Sequence, residues 1–439
     1  MRGLLLILFT TGALFGTFLA PHLGVLVWIW LTVMNPHRFV YGFGSDLPYN
    51  LIVAAVTLLC WLFSAEAKRP KSDLALWLLL ILAAYFTLTT LTSLSPDRSH
   101  VLWDRTLKSM VLALVVATLM TNRVRIESVI WVIVISLGYF GIKGGGFTLL
   151  FRGGGRVLGP PDSPLADNNQ LALALCVGLP LMSYLFFATR SKLLRIGLGG
   201  TMVLTTIAVL GTYSRGGLVG LTVIMGYLWW KSRRKIAIAI AVAVVAAVGL
   251  SFLPEQWFDR MRTIETAGED NSFQARLNAW GFALAVAKAR PLFGSGFGAS
   301  EDTAVWVQYE PDLAFQGNQV VGRAMHSIYF QTLADHGYVA LAIFLCLLVL
   351  TWLRAGRVAR EAARRPGLEW IAHLVTMMRI SLTAYMVAGA ALSMAYWDVV
   401  YMMIAMVSVM RRLVSEAPSG APARTARPSD RLVPASAPG

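Results

Sequence analysis

The chain has 439 residues, of which 56% are hydrophobic and 14% charged, with a mean hydropathy of +0.63. Soluble domains carry roughly 25% charged residues, so composition excludes a water-soluble globule and predicts an all-α polytopic membrane protein. The net charge of +15 is not a nucleic-acid footprint, because the basic side chains collect in every second polar loop, as the positive-inside rule requires.

In chain order, the first apolar block covers residues 3–34. It opens like a secretory leader, with Arg2 before Leu4–Leu19, but stays apolar through Met34 and offers no small-residue cleavage site in a polar setting. It is expected to remain as a membrane segment. Blocks long enough to cross ~30 Å of hydrocarbon as helices follow at 49–64, 74–94, 105–120, 127–150, 169–188, 193–211, 216–230, 236–253, 326–353, 370–393 and 396–410. The basic loops between them are expected on the cytoplasmic side. They carry Lys68/Arg69/Lys71, Arg123/Arg125, Arg190/Lys192/Arg195, Lys231/Arg233/Arg234/Lys235 and Arg354/Arg357/Arg360/Arg364/Arg365, and Arg411/Arg412 open the tail. With a cytoplasmic N-terminus, 3–34 crosses once and the total is twelve spans; two short segments there make thirteen.

The outer-facing segments are then 35–48, 95–104, 151–168, 212–215, 254–325 and 394–397. Of these, only the large periplasmic loop 254–325 can hold structure of its own. Ser272 reads as the cap of a short helix with Phe273, Leu277, Trp280 and Leu284 on its apolar face, ending at Pro291. The glycine-rich turn Gly294-Ser-Gly-Phe-Gly298 follows. Cys60, Cys176 and Cys346 lie far apart inside apolar blocks and suit buried, unpaired thiols. From Pro418 onward the tail is Pro, Ala, Ser, Gly and Arg, which cannot bury a core and reads as disordered. No internal repeat supports a transporter built from inverted halves.

Chemistry is confined to the outer side. The short basic loops hold no phosphate-binding glycine loop, and Gly294–Gly298 follows a helix and not a strand, against a dinucleotide site. Group transfer here needs a donor that is already activated and reaches the outer leaflet, and a lipid-linked diphosphate meets both conditions. Three arginines stand at outer-facing positions. Arg215, in Thr212-Tyr-Ser-Arg-Gly-Gly217, sits where one span turns into the next, and the following helix offers its positive N-terminal end to an anion. Arg276 flanks the apolar face of the loop helix, and Arg156 lies in Gly153-Gly-Gly-Arg-Val-Leu-Gly-Pro160. Guanidinium groups bind phosphate oxygens in a bidentate way and stay charged, which suits a metal-free diphosphate site. The competing reading is snorkelling to lipid headgroups.

His326 opens the segment that re-enters the membrane from the outer side, where a base would meet an incoming hydroxyl. Cationic arginines nearby would keep it neutral, as a general base requires; a structural histidine is the alternative. His336, ten residues on, is off the same helical face, so the two do not read as a chelate. Gln331 and Asp335, further along, would orient substrate or satisfy helix contacts. Glu310-Pro-Asp312, with Glu301 and Asp302, reads as solvated loop charge, and neither a metal nor a cofactor is expected.

These residues resemble a known pattern. Arg156-Val-Leu-Gly-Pro160, Asn168-Asn-Gln-Leu-Ala172 and Gly178-Leu-Pro180 are similar to the first half of the O-antigen ligase/polymerase family. Tyr213-Ser-Arg-Gly-Gly217, Arg276-x-x-x-Trp280, Pro291–Gly298 and His326–Gly337 resemble its second half, over roughly residues 150–353. The N-terminal part, with Trp28-Ile-Trp-Leu31, Met34-Asn-Pro-His-Arg38 and Asp46-Leu-Pro48, is similar to a subgroup of O-glycosylation ligases associated with exosortase systems. The resemblance divides the chain into an N-terminal transmembrane region (1–120), a ligase-like core (121–410) and the tail (411–439).

It implies a bacterial inner-membrane glycosyltransferase with its active site facing the periplasm. The enzyme would move a glycan from undecaprenyl diphosphate to an acceptor hydroxyl on lipid or protein, without metal and with inversion. His326, Arg215 and Arg276 would be catalytic, and Arg156, Asn168, Asn169, Tyr213, Tyr329 and Gln331 would bind substrate. Ser327 departs from the Asn that follows the histidine in many members, at a position tied to acceptor-side hydrogen bonding. A polymerase joining lipid-linked repeat units shares these motifs and stays open. A non-enzymatic transporter needs ionisable residues paired along a mid-bilayer path, and Arg379 and His373, its best candidates, have no evident acidic partner in the spans. Single cysteines placed within 254–325 are expected to react with an impermeant maleimide from the periplasmic side; labelling from the cytoplasm alone overturns this orientation.

Overall fold

The computed structural model describes residues 2–231, 271–310, 315–316, 319–320 and 322–417, with isolated positions between 235 and 257. The expected span 236–253, the tail from Pro418, Asp312 and the side chains of Ser272 and Phe273 lie outside the described residues. The described chain is helical except for a two-residue antiparallel pair, Phe315–Gln316 with Gln319–Val320.

Helices α1 (Arg2–Leu19) and α2 (Pro21–Met34) come from the first apolar block. Ala20 has extended backbone and Pro21 starts the second helix. Gly3 lies against Gly44, which follows α2, so the two helices run antiparallel. Residues 3–34 therefore form two helices and not one continuous one. Then come α3 (Tyr49–Phe63), α4 (Leu74–Leu91), α5 (Pro96–Leu119), α6 (Arg123–Leu150), α7 (Asn168–Ala188), α8 (Lys192–Gly211) and α9 (Arg215–Lys231). The outer segment 95–104 is not a loop; with Pro96 in its first turn, it forms the start of α5. After 231 the described helices are α10 (Asn271–Ala289), α11 (Thr303–Tyr309), α12 (Ile328–Ala362), α13 (Glu369–Ala388) and α14 (Asp398–Glu416).

Among the described residues, seven helices are long and apolar enough to cross a membrane, namely α1, α4, α6, α7, α8, α12 and α13. The shorter apolar helices α2 and α3 have 14 and 15 residues, or about 21 and 23 Å at 1.5 Å per residue. Helix α5 is long, but Asp97, Arg98, Asp104, Arg105 and Lys108 occupy its first half. Against the twelve or thirteen spans read from sequence, the described helices establish a multi-pass, all-helical bundle.

The bundle has two chemically distinct ends. At one, the basic loops join through ion pairs. Asp73, only 3% exposed in its side chain, takes Arg354 at 2.6 Å and Arg411 at 2.8 Å, and Arg125 meets Glu66 at 2.7 Å. Among the described residues no acid pairs with Arg379, whose guanidinium lies 3.7 Å from the centre of the Trp352 ring. His373 packs on Tyr184 and Phe187. The second end holds Arg156, Arg215, Arg276 and His326.

Helix α10 buries a different face from the one expected. Ala279, Phe282, Ala283 and Val286 are inside, against Trp306 and Ala334. Leu277 and Leu284 are 40% and 42% exposed. Both faces are apolar, so spacing does not choose between them. Small alanines allow close approach to the neighbouring chain and win the core side.

Helix α12 is broken at Gly337, whose φ of 77° belongs to the left-handed region. The break strands backbone groups that apolar surroundings cannot satisfy. The glycine-rich turn supplies them. The carbonyls of Ala334 and Asp335 accept from the N–H groups of Ser295 and Gly296, both at 2.8 Å, and Tyr338 N–H donates to Pro291 O at 2.8 Å. Asp335 is buried at the same splice, accepting from Gly298 N–H at 3.2 Å and from the Tyr396 hydroxyl at 2.7 Å. Gly294–Gly298 is thus a patch on a broken helix. A Cβ at Gly337 would run into the Pro291 carbonyl. Gly337→Ala is expected to cost about 1–3 kcal/mol from the backbone alone, read as a lower midpoint of thermal unfolding in detergent. An unchanged midpoint would mean the splice is not under this constraint.

Candidate active site

The candidate residues at the second end stand on non-helical elbows or on helices beside them, and each is held for a local reason. Between α8 and α9, Tyr213 takes φ 59° and its hydroxyl donates to Gly153 O at 2.5 Å. The amide of buried Asn168 donates to Thr212 O at 2.7 Å, and Val157 N–H donates to Gly211 O at 2.9 Å. Ser214 Oγ accepts from Gly217 N–H at 3.1 Å, capping α9. Arg215 is therefore the first residue of α9, at the positive end of its dipole. The two glycines after it let α9 sit close to its neighbours. Gly217 packs on Ala172 of α7, and Gly216 on Leu392.

Arg276 sits on the first turns of α10. One turn later, Trp280 Nε1 donates to Met325 O at 3.0 Å, and its ring stacks on Phe330 at 4.9 Å. This docks α10 against the residue preceding His326. His326 itself has φ 47°, and its N–H donates to Ser393 Oγ at 2.7 Å. Ser393 is next to Leu392, which packs on Gly216, so the 392–393 elbow stands between Arg215 and His326. Burial first, then the Arg276 guanidinium, holds the His326 imidazole below the usual histidine value, while Asp167 pulls it up. That direction favours the neutral ring, the form a general base requires.

The remaining expected site residues divide into two groups. Arg156 is exposed, and its charge opposes the upward push that burial gives the Tyr213 hydroxyl, so it lies close to Tyr213. Asn169 donates to Asn168 Oδ1 at 3.4 Å beside Asp167, which caps α7. By contrast, Asn168 and Tyr213 engage backbone carbonyls. Tyr329 donates to Met386 O at 2.8 Å, and Gln331 Oε1 accepts from Ala395 N–H at 3.1 Å. These four engage the protein's own backbone with the groups that were expected to meet substrate. Sequence reasoning missed Gln170, Ser393 and Asp167. Gln170 stood inside the Asn168-Asn-Gln motif, but nothing in the sequence pairs it with Ser393, whose carbonyl it reaches at 3.1 Å.

Among the described residues, Asn35, Arg152, Asp162, Tyr213 and His326 are the non-glycine residues with positive φ. Four of the five belong to the elbows or to the loop carrying Arg156. Such conformations cost roughly 1–3 kcal/mol and persist where surrounding contacts over-determine them, as at functional sites. Among the described residues, no three His, Cys, Asp or Glu side chains come together as metal ligands.

Two family models match the chain. Residues 200–345 match the family described as O-Antigen ligase, and residues 1–189 match a family of unknown function (DUF5935). No curated protein matches it. An O-antigen ligase family domain thus covers Arg215, Arg276 and His326, and supports glycan processing of ligase or polymerase type by a glycosyltransferase-like membrane enzyme. Ser327 caps α12, accepting from Phe330 N–H at 3.5 Å, a task that serine and asparagine perform equally well.

The electrostatics can be checked without substrate. Arg276→Gln is expected to raise the His326 titration towards ~6.5, and Asp167→Asn to lower it further, both followed by NMR of labelled imidazole. Identical titrations in both variants would show that neither charge reaches the ring.

Proposed function

We propose that this chain is a glycan ligase that moves a glycan from undecaprenyl diphosphate to an acceptor hydroxyl, on lipid or protein, at the periplasmic face. The observation that carries this reading is the left-handed backbone of His326, fixed by Ser393 and docked against the helix that bears Arg276, with Gly216, next to Arg215, packed on the adjoining Leu392. A base and cationic groups for a leaving anion thus stand at one end of the bundle.

The acceptor hydroxyl gives its proton to the neutral ring of His326 as its oxygen attacks the anomeric carbon. The bond from that carbon to the phosphate oxygen breaks in line, so the new glycosidic bond has inverted configuration. Negative charge grows on the departing diphosphate, where Arg215, Arg276 and the α9 N-terminus meet it. Preorganised donors of this kind are typically worth about 3–4 kcal/mol each. Arg156, exposed beside Tyr213, is placed for the glycan or the outer phosphate. The proton on His326 then leaves to solvent and restores the base. No step requires a metal, so a chelator is expected to leave the rate unchanged.

In proteoliposomes with a defined lipid-linked glycan, His326→Ala is expected to lose roughly 100- to 10,000-fold in rate. Arg215→Ala and Arg276→Ala are expected to lose roughly 100- to 1000-fold each. Membrane insertion and abundance should be unchanged. Wild-type transfer by both His326→Ala and Arg215→Ala would sink the assignment. A second lipid-linked repeat unit serving as the preferred acceptor would make the same centre a polymerase.

A further inference from the structure

The linker between α13 and α14 reads in sequence as a short turn. In the structure it is held from all sides. Ser393 Oγ accepts from His326 N–H at 2.7 Å, and Ser393 O accepts from the Gln170 amide of α7 at 3.1 Å. The Tyr385 hydroxyl donates to Met394 O at 2.8 Å, and the Tyr401 hydroxyl to Ala395 O at 3.0 Å. Ala395 N–H is taken by Gln331, and the Tyr396 hydroxyl by Asp335. Four helices, α7, α12, α13 and α14, thereby set the position of one serine hydroxyl.

That hydroxyl meets the backbone of a histidine with φ 47°. Residues with a Cβ seldom adopt this conformation, and histidine gains it only where contacts enforce it. The direction of the imidazole follows from the backbone, because Cα–Cβ turns with φ. We infer that Ser393 is a positioning residue for His326, its hydroxyl fixing the left-handed backbone that sets the direction of the imidazole. Gln170 holds Ser393 in turn. The inference rests on the reading of His326 as the base, but it can fail independently of it.

A purely structural Ser393 would satisfy one backbone donor and leave the histidine's titration alone. The test is therefore the His326 titration, measured by NMR on the full chain in detergent and assigned by difference with His326→Gln. Transfer in proteoliposomes is measured alongside. Ser393→Ala is expected to move the titration up towards ~6.5, because the ring leaves its buried place beside Arg276. Its kcat should fall roughly 10- to 100-fold, with the donor KM and thermal midpoint unchanged. Ser393→Thr, which keeps the hydroxyl, is expected to restore both readouts. Should Ser393→Ala not fold, Ser393→Cys, a weaker acceptor, is expected to give an intermediate shift. Wild-type titration and kcat in Ser393→Ala, or Ser393→Thr no better than alanine, would overturn the inference. Wild-type transfer by His326→Gln would remove the base reading, while the titration of Ser393→Ala would still decide the positioning.

Discussion

Everything at the functional end follows from one constraint: backbone that leaves a helix in apolar surroundings must find hydrogen-bond partners within the protein. The chain breaks helical geometry at 212–214, 322–327, 337 and 389–397, and each break is repaired by a neighbour. Asn168 covers Thr212 O, Ser295 and Gly296 cover the carbonyls freed at Gly337, and Ser393 covers the His326 N–H. The functional side chains stand on these repaired segments or beside them. A regular helix spaces side chains at fixed angles, whereas an elbow frees the direction in which a residue such as His326 projects.

The first turn of α7 ties the repairs together. Asn168 reaches the elbow that carries Arg215, and Gln170 reaches the elbow that supports His326. Asp167 caps the same turn and bears on the His326 charge. Three polar positions within four residues, Asp167, Asn168 and Gln170, thus link the elbow before Arg215 to the surroundings of His326. The electrostatic result is a histidine whose neutral form is favoured by burial and Arg276 and only partly opposed by Asp167. A charged ring there would sit beside a guanidinium, which is why the neutral form prevails.

The match between sequence and fold is closest where a single property decides the outcome. Length and hydropathy place most helices from Tyr49 to Lys231 and from Ile328 to Glu416 within about five residues of their expected bounds, because apolar surface must be buried or face lipid, but α5 starts nine residues early and α12 and α14 run nine and six residues past their expected ends. Where two solutions satisfy the same pattern, the sequence is silent. Residues 3–34 suit one long helix or two short ones, and only the contact of Gly3 with Gly44 selects the pair. On α10 both faces are apolar, and Ala279 and Ala283 take the inside through close packing that periodicity does not encode.

Taken alone, the sequence determined that this is a multi-pass helical protein, where its helices begin and end, and which residues are chemically capable: Arg156, Arg215, Arg276 and His326. Residue type and local spacing carry that information. The tertiary structure decided that Arg276 lies near His326 and which polar groups brace the backbone around them, as Tyr329 and Gln331 do on Met386 and Ala395. It also decided that Gly294–Gly298 serves the break at Gly337. Those outcomes depend on pairings across tens to hundreds of positions, such as Gln170 with Ser393, and no local pattern in a single sequence records them.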